Sequence, residues 1–205
     1  MASIRFYTHP RSRGRMIRWM LEETGADYET VVLGYGEAMQ TAEFRAVNPM
    51  RKVPVIVHHG AVISECAAIC AYLADAFPDA GLAPASDQRA NYYRWLFFAA
   101  GPLEAAIINR ALGVQPTPEQ QGFVGYGDME RVLETLERAV TAHAWVAGEQ
   151  FSAADVYIGS QLSFGLQFGT IDKRSSFEEY VQRVTDRDAY RRAGAADDAL
   201  LQKES

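Results

Sequence analysis

Apolar positions along this chain follow two regimes. Up to about residue 77, runs with a two-residue period alternate with runs of helical period; past residue 87 the helical period stands alone. Ser3 to Thr8 (SIRFYT) alternates and is bounded by His9-Pro10, which predicts a strand ending in a turn. Arg15 to Thr24 places Met16, Ile17, Met20 and Leu21 at helical spacing, with Gly25 as the stop. Asp27 to Leu33 is rich in β-branched residues and predicts a second strand. A modest helix is expected over Glu37 to Ala46, ended by Asn48-Pro49. Val53 to His58 and Ala61 to Ile63 read as a hairpin turning at His59-Gly60, and Ser64 to Phe77 as a helix capped by Ser64. His58 and His59, taken as strand neighbours, are expected on opposite faces, which is poor geometry for a metal.

The order β-α-β-α-β-β-α describes a mixed sheet with helices packed on it. Residues 1–77 therefore form one expected domain, and the Pro-, Gly- and Ala-rich stretch 78–86 a linker. Residues 87–205 are expected to be all-helical. Asp87 to Leu112 is a long aromatic-rich helical segment bent near Gly101-Pro102, and Glu119 to Ala147 another helix with His143 on its apolar stripe, ended by Gly148. Phe151 to Val156 carries a capping-box pattern, with Ser152 as cap and Asp155 reaching back. That helix extends to about Phe168. Shorter helices follow over Ser176 to Val184 and Asp186 to Ala193, with a charged, frayed tail from Asp197.

Composition narrows the function. The net charge of -6 argues against nucleic acid and anionic membrane as partners. No stretch approaches the roughly 18 consecutive apolar residues of a spanning helix, and the N-terminus lacks the apolar core of a signal peptide, so a cytoplasmic location is expected. Within this acidic chain Arg5, Arg11, Arg13, Arg15 and Arg18 form a basic cluster. Cations at a helix start oppose its dipole, so Arg13 and Arg15 there suit a bound anion, or else point into solvent. Cys66 and Cys70, the two cysteines, lie four apart, a helix-face spacing and not a redox or metal pair.

Three stretches carry a resemblance. VNPMRKVPVIV is similar to the NPxGKVPxL step of glutathione transferases, ISECAAICAYL to their ES-x-AI-x-x-YL helix, and FSAADV to their C-terminal capping motif. The resemblance implies a thioredoxin-like N-terminal domain followed by an all-helical C-terminal domain, an α/β plus all-α protein that forms a homodimer. It implies a detoxifying transferase that activates the glutathione thiolate for attack on a small electrophile, with glutathione as substrate, no metal, and the acceptor pocket lined in part by the Tyr92 to Phe98 aromatics and Asn109. Pro54 would be cis, leaving Val53 to pair with the cysteinyl unit; Glu65 and Cys66 would hold the γ-glutamyl end, Lys52 would pair with the glycyl carboxylate, and Arg13 would face a bound carboxylate or thiolate. The thiolate's partner would be Ser12, in the loop before the first helix, or Tyr7 at the strand end. Arg51 stands where the family usually has glycine, and Cys66 where it has a hydroxyl. Those two departures leave open a non-catalytic binding or regulatory protein of the same fold, beside a glutathione-dependent peroxidase or isomerase.

Overall fold

The computed structural model describes residues 3–204, without the side chains of the last two of them. Contacts group them into two compact units. One joins the N-terminal part through Gly81 with the closing stretch from Arg187; the other is Leu82–Asp186. The sequence reading placed everything from 87 onward in one helical domain and so did not anticipate that the last helix returns to the first unit.

In the first unit β1 (Ile4–Thr8) runs parallel to β2 (Tyr28–Val32) and antiparallel to β3 (Val55–His58), which pairs antiparallel with β4 (Ala61–Ile63), giving the order β2-β1-β3-β4. The parallel pair requires a crossover, supplied by α1 (Gly14–Thr24). This helix buries Met16, Ile17, Trp19, Met20 and Leu21 and stops at Gly25 in the left-handed conformation, φ 65°. Ile4, Phe6 and Thr8 of β1 are buried, and Arg18 of α1 lies over the Phe6 ring. The opposite face receives Met39 and Phe44 against Val55, with Tyr7 and Val53 beside them.

The helix expected over 37–46 is two pieces, a 3-10 turn at Glu37–Gln40 and α2 (Ala42–Val47). Thr41 separates them, because its Oγ1 accepts the Phe44 N–H at 3.2 Å and caps the second piece. The hairpin turns at His59-Gly60, with φ of 50° and 81°, the double positive φ that a two-residue turn of matching twist demands. His59 thus belongs to the turn and not to the strand. Its ring folds back to 4.0 Å from that of His58, correcting the expectation of opposite faces. The helix α3 (Cys66–Ala76) begins two residues later than expected, and Ser64 is not its cap; Glu65 holds that position, with φ 65°, ψ 119° and no side-chain hydrogen bond to the helix.

In the second unit α4 (Ala90–Phe98) and α5 (Glu104–Ala111) are joined by a π-helical turn, Ala99–Leu103, at the predicted bend. Pro102 has no N–H to offer the regular ladder there. The long helix expected over 119–147 contracts to α6 (Met129–Ala142). Asp128 caps it by accepting the Arg131 N–H at 2.8 Å, and Gly127 before it sits at φ 71°. At the far end His143 turns extended, is exposed and pairs with Glu149, while Trp145 and Gly148 exchange two backbone hydrogen bonds. The capping box stands as expected and opens α7 (Ala153–Phe168), buried on all sides through Leu162. It is followed by α8 (Ser175–Thr185).

The last helix, α9 (Asp188–Glu204), corrects the sequence reading most. Residues 197–204 are helical and not frayed, and Asp197 is fully buried in an ion pair with Arg18 at 2.8 Å. Among the described residues no helix is long and apolar enough to cross a membrane.

Candidate functional site

Strand directions gather the predicted residues at one end of the sheet. Tyr7 of β1 stands opposite Val55 of β3, and Ile63 of β4 opposite Ile56. The loop after β1, the segment entering β3 and the segment leaving β4 therefore emerge side by side. The first carries Ser12 and Arg13, the second Lys52, Val53 and Pro54, the third Glu65 and Cys66.

The loop after β1 is held by its own polar groups. Ser12 donates its hydroxyl to the His9 carbonyl at 2.7 Å and accepts the Gly14 N–H at 2.9 Å, so it takes up the first N–H of α1 at the positive end of the helix dipole, while the Arg15 and Met16 N–H groups are held by the Ser12 and Arg13 carbonyls. The His9 carbonyl also accepts the Ser12 N–H at 3.0 Å. The buried His9 ring takes the Arg11 N–H on Nδ1 and lies 4.2 Å from the ring of Tyr35, whose hydroxyl donates to the Arg11 carbonyl. Gly14 is required by space: a Cβ there would overlap Thr8 Oγ1 and lie 3.0 Å from Ser12 Oγ. Arg13 is exposed, and Arg15 bridges the Pro10 carbonyl and Asp198.

Tyr7 occupies a different setting. Its ring centroid lies 5.7 Å from that of Phe44 on the sheet face away from α1, and its hydroxyl helps hold the Arg5 guanidinium charged, ahead of Glu29.

The Val53-Pro54 peptide bond is cis, and the ladder between β3 and β1 begins only at Val55, so these two residues lead into the strand from a bend at Val53. Asn48 fastens the approach: buried, it donates to the Lys52 carbonyl at 2.8 Å and accepts the Met50 N–H at 3.1 Å. Within this loop Arg51 adopts φ 56° and its guanidinium reaches Gln40 at 2.6 Å. Lys52 is exposed.

At α3 the exposed Glu65 holds a backbone conformation that side chains rarely adopt. The conformation turns the chain from β4 into a helix whose first N–H groups are not capped by the Glu65 side chain. Cys66, the first residue of the helix, is buried. Burial, with Cys66 nearby, pushes the Cys70 thiol well above its ordinary range, leaving it inert as a nucleophile. Burial, then the neighbouring His59, lowers the pKa of His58, whose Nδ1 is 2.9 Å from the Tyr72 hydroxyl. Among the described residues no three His, Cys, Asp or Glu side chains are grouped to hold a metal ion.

Sequence reasoning missed Thr8, His9, Gly14, Tyr35 and Asn48. A legible signal existed for Asn48 alone, an Asn before Pro that can hydrogen-bond its own turn.

The arrangement sets the cis-proline entry to β3 beside the positive ends of two helices, one bearing a hydroxyl. Residues 2–75 match the family model described as glutathione S-transferase, N-terminal domain. Among curated relatives, a glutathione S-transferase of Escherichia coli O157:H7 is 27% identical over 173 residues, covering 82% of this chain and 85% of that protein. A maleylacetoacetate isomerase of Rattus norvegicus is 27% identical over 162 residues, covering 74% and 73%. Among solved structures, a glutathione transferase of Methylococcus capsulatus str. Bath superposes with a TM-score of 0.79 at 27% identity, over 96% of this chain and 99% of that one. A sphingomonad glutathione S-transferase complexed with glutathione gives a TM-score of 0.76 at 26% identity, over 94% and 98%.

Proposed function

We propose, for a chain that belongs to the glutathione S-transferase family, that it binds glutathione at this end of the sheet and presents its thiolate to a small electrophile. In this reading Ser12 donates its hydroxyl to the sulfur. Val53, ahead of cis-Pro54, pairs with the cysteinyl backbone, Glu65 and the Cys66 N–H hold the γ-glutamyl ammonium and carboxylate, and Lys52 and Arg13 offset the remaining negative charge. Homodimer assembly and a cytoplasmic setting belong to the same proposal.

The observation that supports it best is the convergence of a capped helix start, the cis-proline lead into β3 and the positive-φ entry to α3 on one end of the sheet. Ser12 is favoured over Tyr7 because its oxygen sits at a helix N-terminus, where a thiolate is stabilised, whereas Tyr7 packs on Phe44. Lowering a thiol pKa of about 8.5 by roughly two units takes about 2.7 kcal/mol. A charge-assisted hydrogen bond with a helix terminus is of that order. The chain has no cysteine before Cys66, which separates it from a mechanism passing through a mixed disulfide at the first helix.

Ser12→Ala should reduce kcat/KM for conjugation by about 10- to 100-fold, the worth of one hydrogen bond to a charged group, and weaken the ultraviolet thiolate band of bound glutathione with little change in its affinity. If the band survives and Tyr7→Phe abolishes it, the role passes to Tyr7. The isomerase relative favours a second reading, in which the same thiolate serves an isomerisation. Turnover that leaves the glutathione concentration unchanged would select it.

A further inference from the structure

Thr8, the last residue of β1, is wholly buried, and among the described residues its hydroxyl oxygen has no hydrogen-bond partner. An unpaired buried hydroxyl is a net cost to a fold. A valine would fill the same space without it, so the hydroxyl calls for an explanation.

Its position supplies one. Thr8 Oγ1 occupies the space where a Cβ of Gly14 would stand, and Ser12 Oγ lies 3.0 Å from that same point. Both hydroxyls thus border the start of α1, one hydrogen-bonded and, among the described residues, one not. Ser12 uses its single hydrogen on the His9 carbonyl and one lone pair on the Gly14 N–H, which leaves one acceptor site open. The His9 carbonyl would not be orphaned if that hydrogen left, because it also accepts the Ser12 N–H.

Resting on the assignment of Ser12 as the thiolate's partner, we propose that Thr8 is a positioning residue whose hydroxyl donates to Ser12 Oγ when the Ser12 hydrogen turns from the His9 carbonyl to the glutathione sulfur. Every capacity of Ser12 is then used: its hydrogen on the sulfur, its two lone pairs on the Gly14 N–H and the Thr8 O–H. The glutathione thiol loses its proton to solvent while both hydroxyls keep theirs, and no bond other than S–H is broken. Two donors feeding Ser12 Oγ polarise its O–H and strengthen the bond it gives to the thiolate. The glycine at 14 is what leaves room for the pair.

The test uses the full-length protein with glutathione. Ultraviolet titration of bound glutathione should give a thiol pKa about 0.5–1 unit higher in Thr8→Val than in the parent, roughly three- to tenfold less thiolate on the acid side. The acid limb of the kcat/KM profile with a chlorodinitrobenzene should move by the same amount. Glutathione affinity should stay within about twofold, and thermal stability should hold or rise, since an unpaired polar group has been removed. Thr8→Ser should restore the parent thiol pKa; if the valine variant folds poorly, Thr8→Ala and Thr8→Ser provide the same comparison. A bound-thiol pKa unchanged in Thr8→Val, or raised equally in Thr8→Ser, overturns the role of Thr8. If Ser12→Ala leaves the thiolate band intact, the assignment of Ser12 fails, and Thr8 falls with it. If Ser12→Ala abolishes the band while Thr8→Val does nothing, only the Thr8 inference is lost.

Discussion

His58 and His59 show how one backbone angle redirects side-chain chemistry. Strand alternation would separate them, but the positive φ of His59 stacks the two rings at 4.0 Å. The groups around His58 are His59 from the turn and Tyr72 and Phe77 from and just past α3. No carboxylate is hydrogen-bonded to its ring, and burial with a second imidazole nearby lowers its pKa. The unfolded chain then binds a proton more readily than the folded one. The stability that follows is fully present above the unfolded value of about 6.5 and is lost as pH falls from there through the folded value. Thermal melts between about pH 7.5 and 5.5 should therefore decline more steeply for the parent than for His58→Gln, which keeps a polar partner for the Tyr72 hydroxyl. Equal slopes would show that the imidazole pair is not the cause. The same residues mark what local rules could and could not foresee. The turn at His59-Gly60 was legible because Gly beside a polar residue between two β runs is a turn signal. The ring stacking was not, since it depends on which of the two histidines takes φ > 0. Glu65 is a parallel instance: the pattern put it inside a helix opened by Ser64, whereas it stands just ahead of the helix at positive φ.

Element boundaries follow from competition between helix propensity and specific caps. The capping box at Ser152 was legible because both partners lie within one turn in sequence, whereas the short α6 was not, since its glycine-rich lead and Asp128 cap cut a span whose apolar period continues past both ends. Asp155 reaches beyond its own helix. Its carboxylate accepts the Ser152 N–H at 2.9 Å, the Ser152 hydroxyl at 3.0 Å, the Val146 N–H at 2.7 Å and the Tyr180 hydroxyl at 2.7 Å, so it ties α7 to α8 and to the strap that precedes it. Burial raises its pKa in spite of these four donors, with the Val146 N–H the strongest of the opposing influences. Asp155→Ala would orphan several buried donors at once, at about 1–3 kcal/mol each. Denaturant unfolding should accordingly show a loss of several kcal/mol, or no folded protein, with Asp155→Asn retaining part of the stability. A loss below about 1 kcal/mol in the alanine variant would mean that water replaces the carboxylate there.

At the scale of the whole molecule, the closing helix belongs to the unit that bears the candidate site, and a buried ion pair decides this. Arg18 on α1 is 3% exposed and donates to Asp197 at 2.8 Å and to Thr30 at 3.0 Å, with its guanidinium over Phe6 and Tyr28. Around it Trp19 meets Tyr190 edge-on at 4.9 Å, Glu23 receives Arg187, and Glu22 receives Arg192. None of this was readable from a tail rich in Ala, Asp and Arg, because a buried carboxylate is defined by a partner roughly 180 residues away in sequence. The pair is not a simple gain in stability. Burial raises the pKa of Asp197 in spite of Arg18, and among the described residues Arg18 Nη2 and Asp197 Oδ2 each lack a hydrogen-bond partner. Two buried charges that satisfy each other imperfectly add little net stability when both are present, yet leave a large penalty when one is alone. Asp197→Leu or Arg18→Met alone should thus cost about 3–5 kcal/mol, whereas the two together should recover most of that loss, because the surrounding apolar surface closes over both. The measurement is equilibrium unfolding of the two single variants and the double variant. Additive losses would mean that the pair does not act as a unit. The expected non-additivity would make α9, through Arg18, the element that fixes α1, and with α1 the loop that carries Ser12.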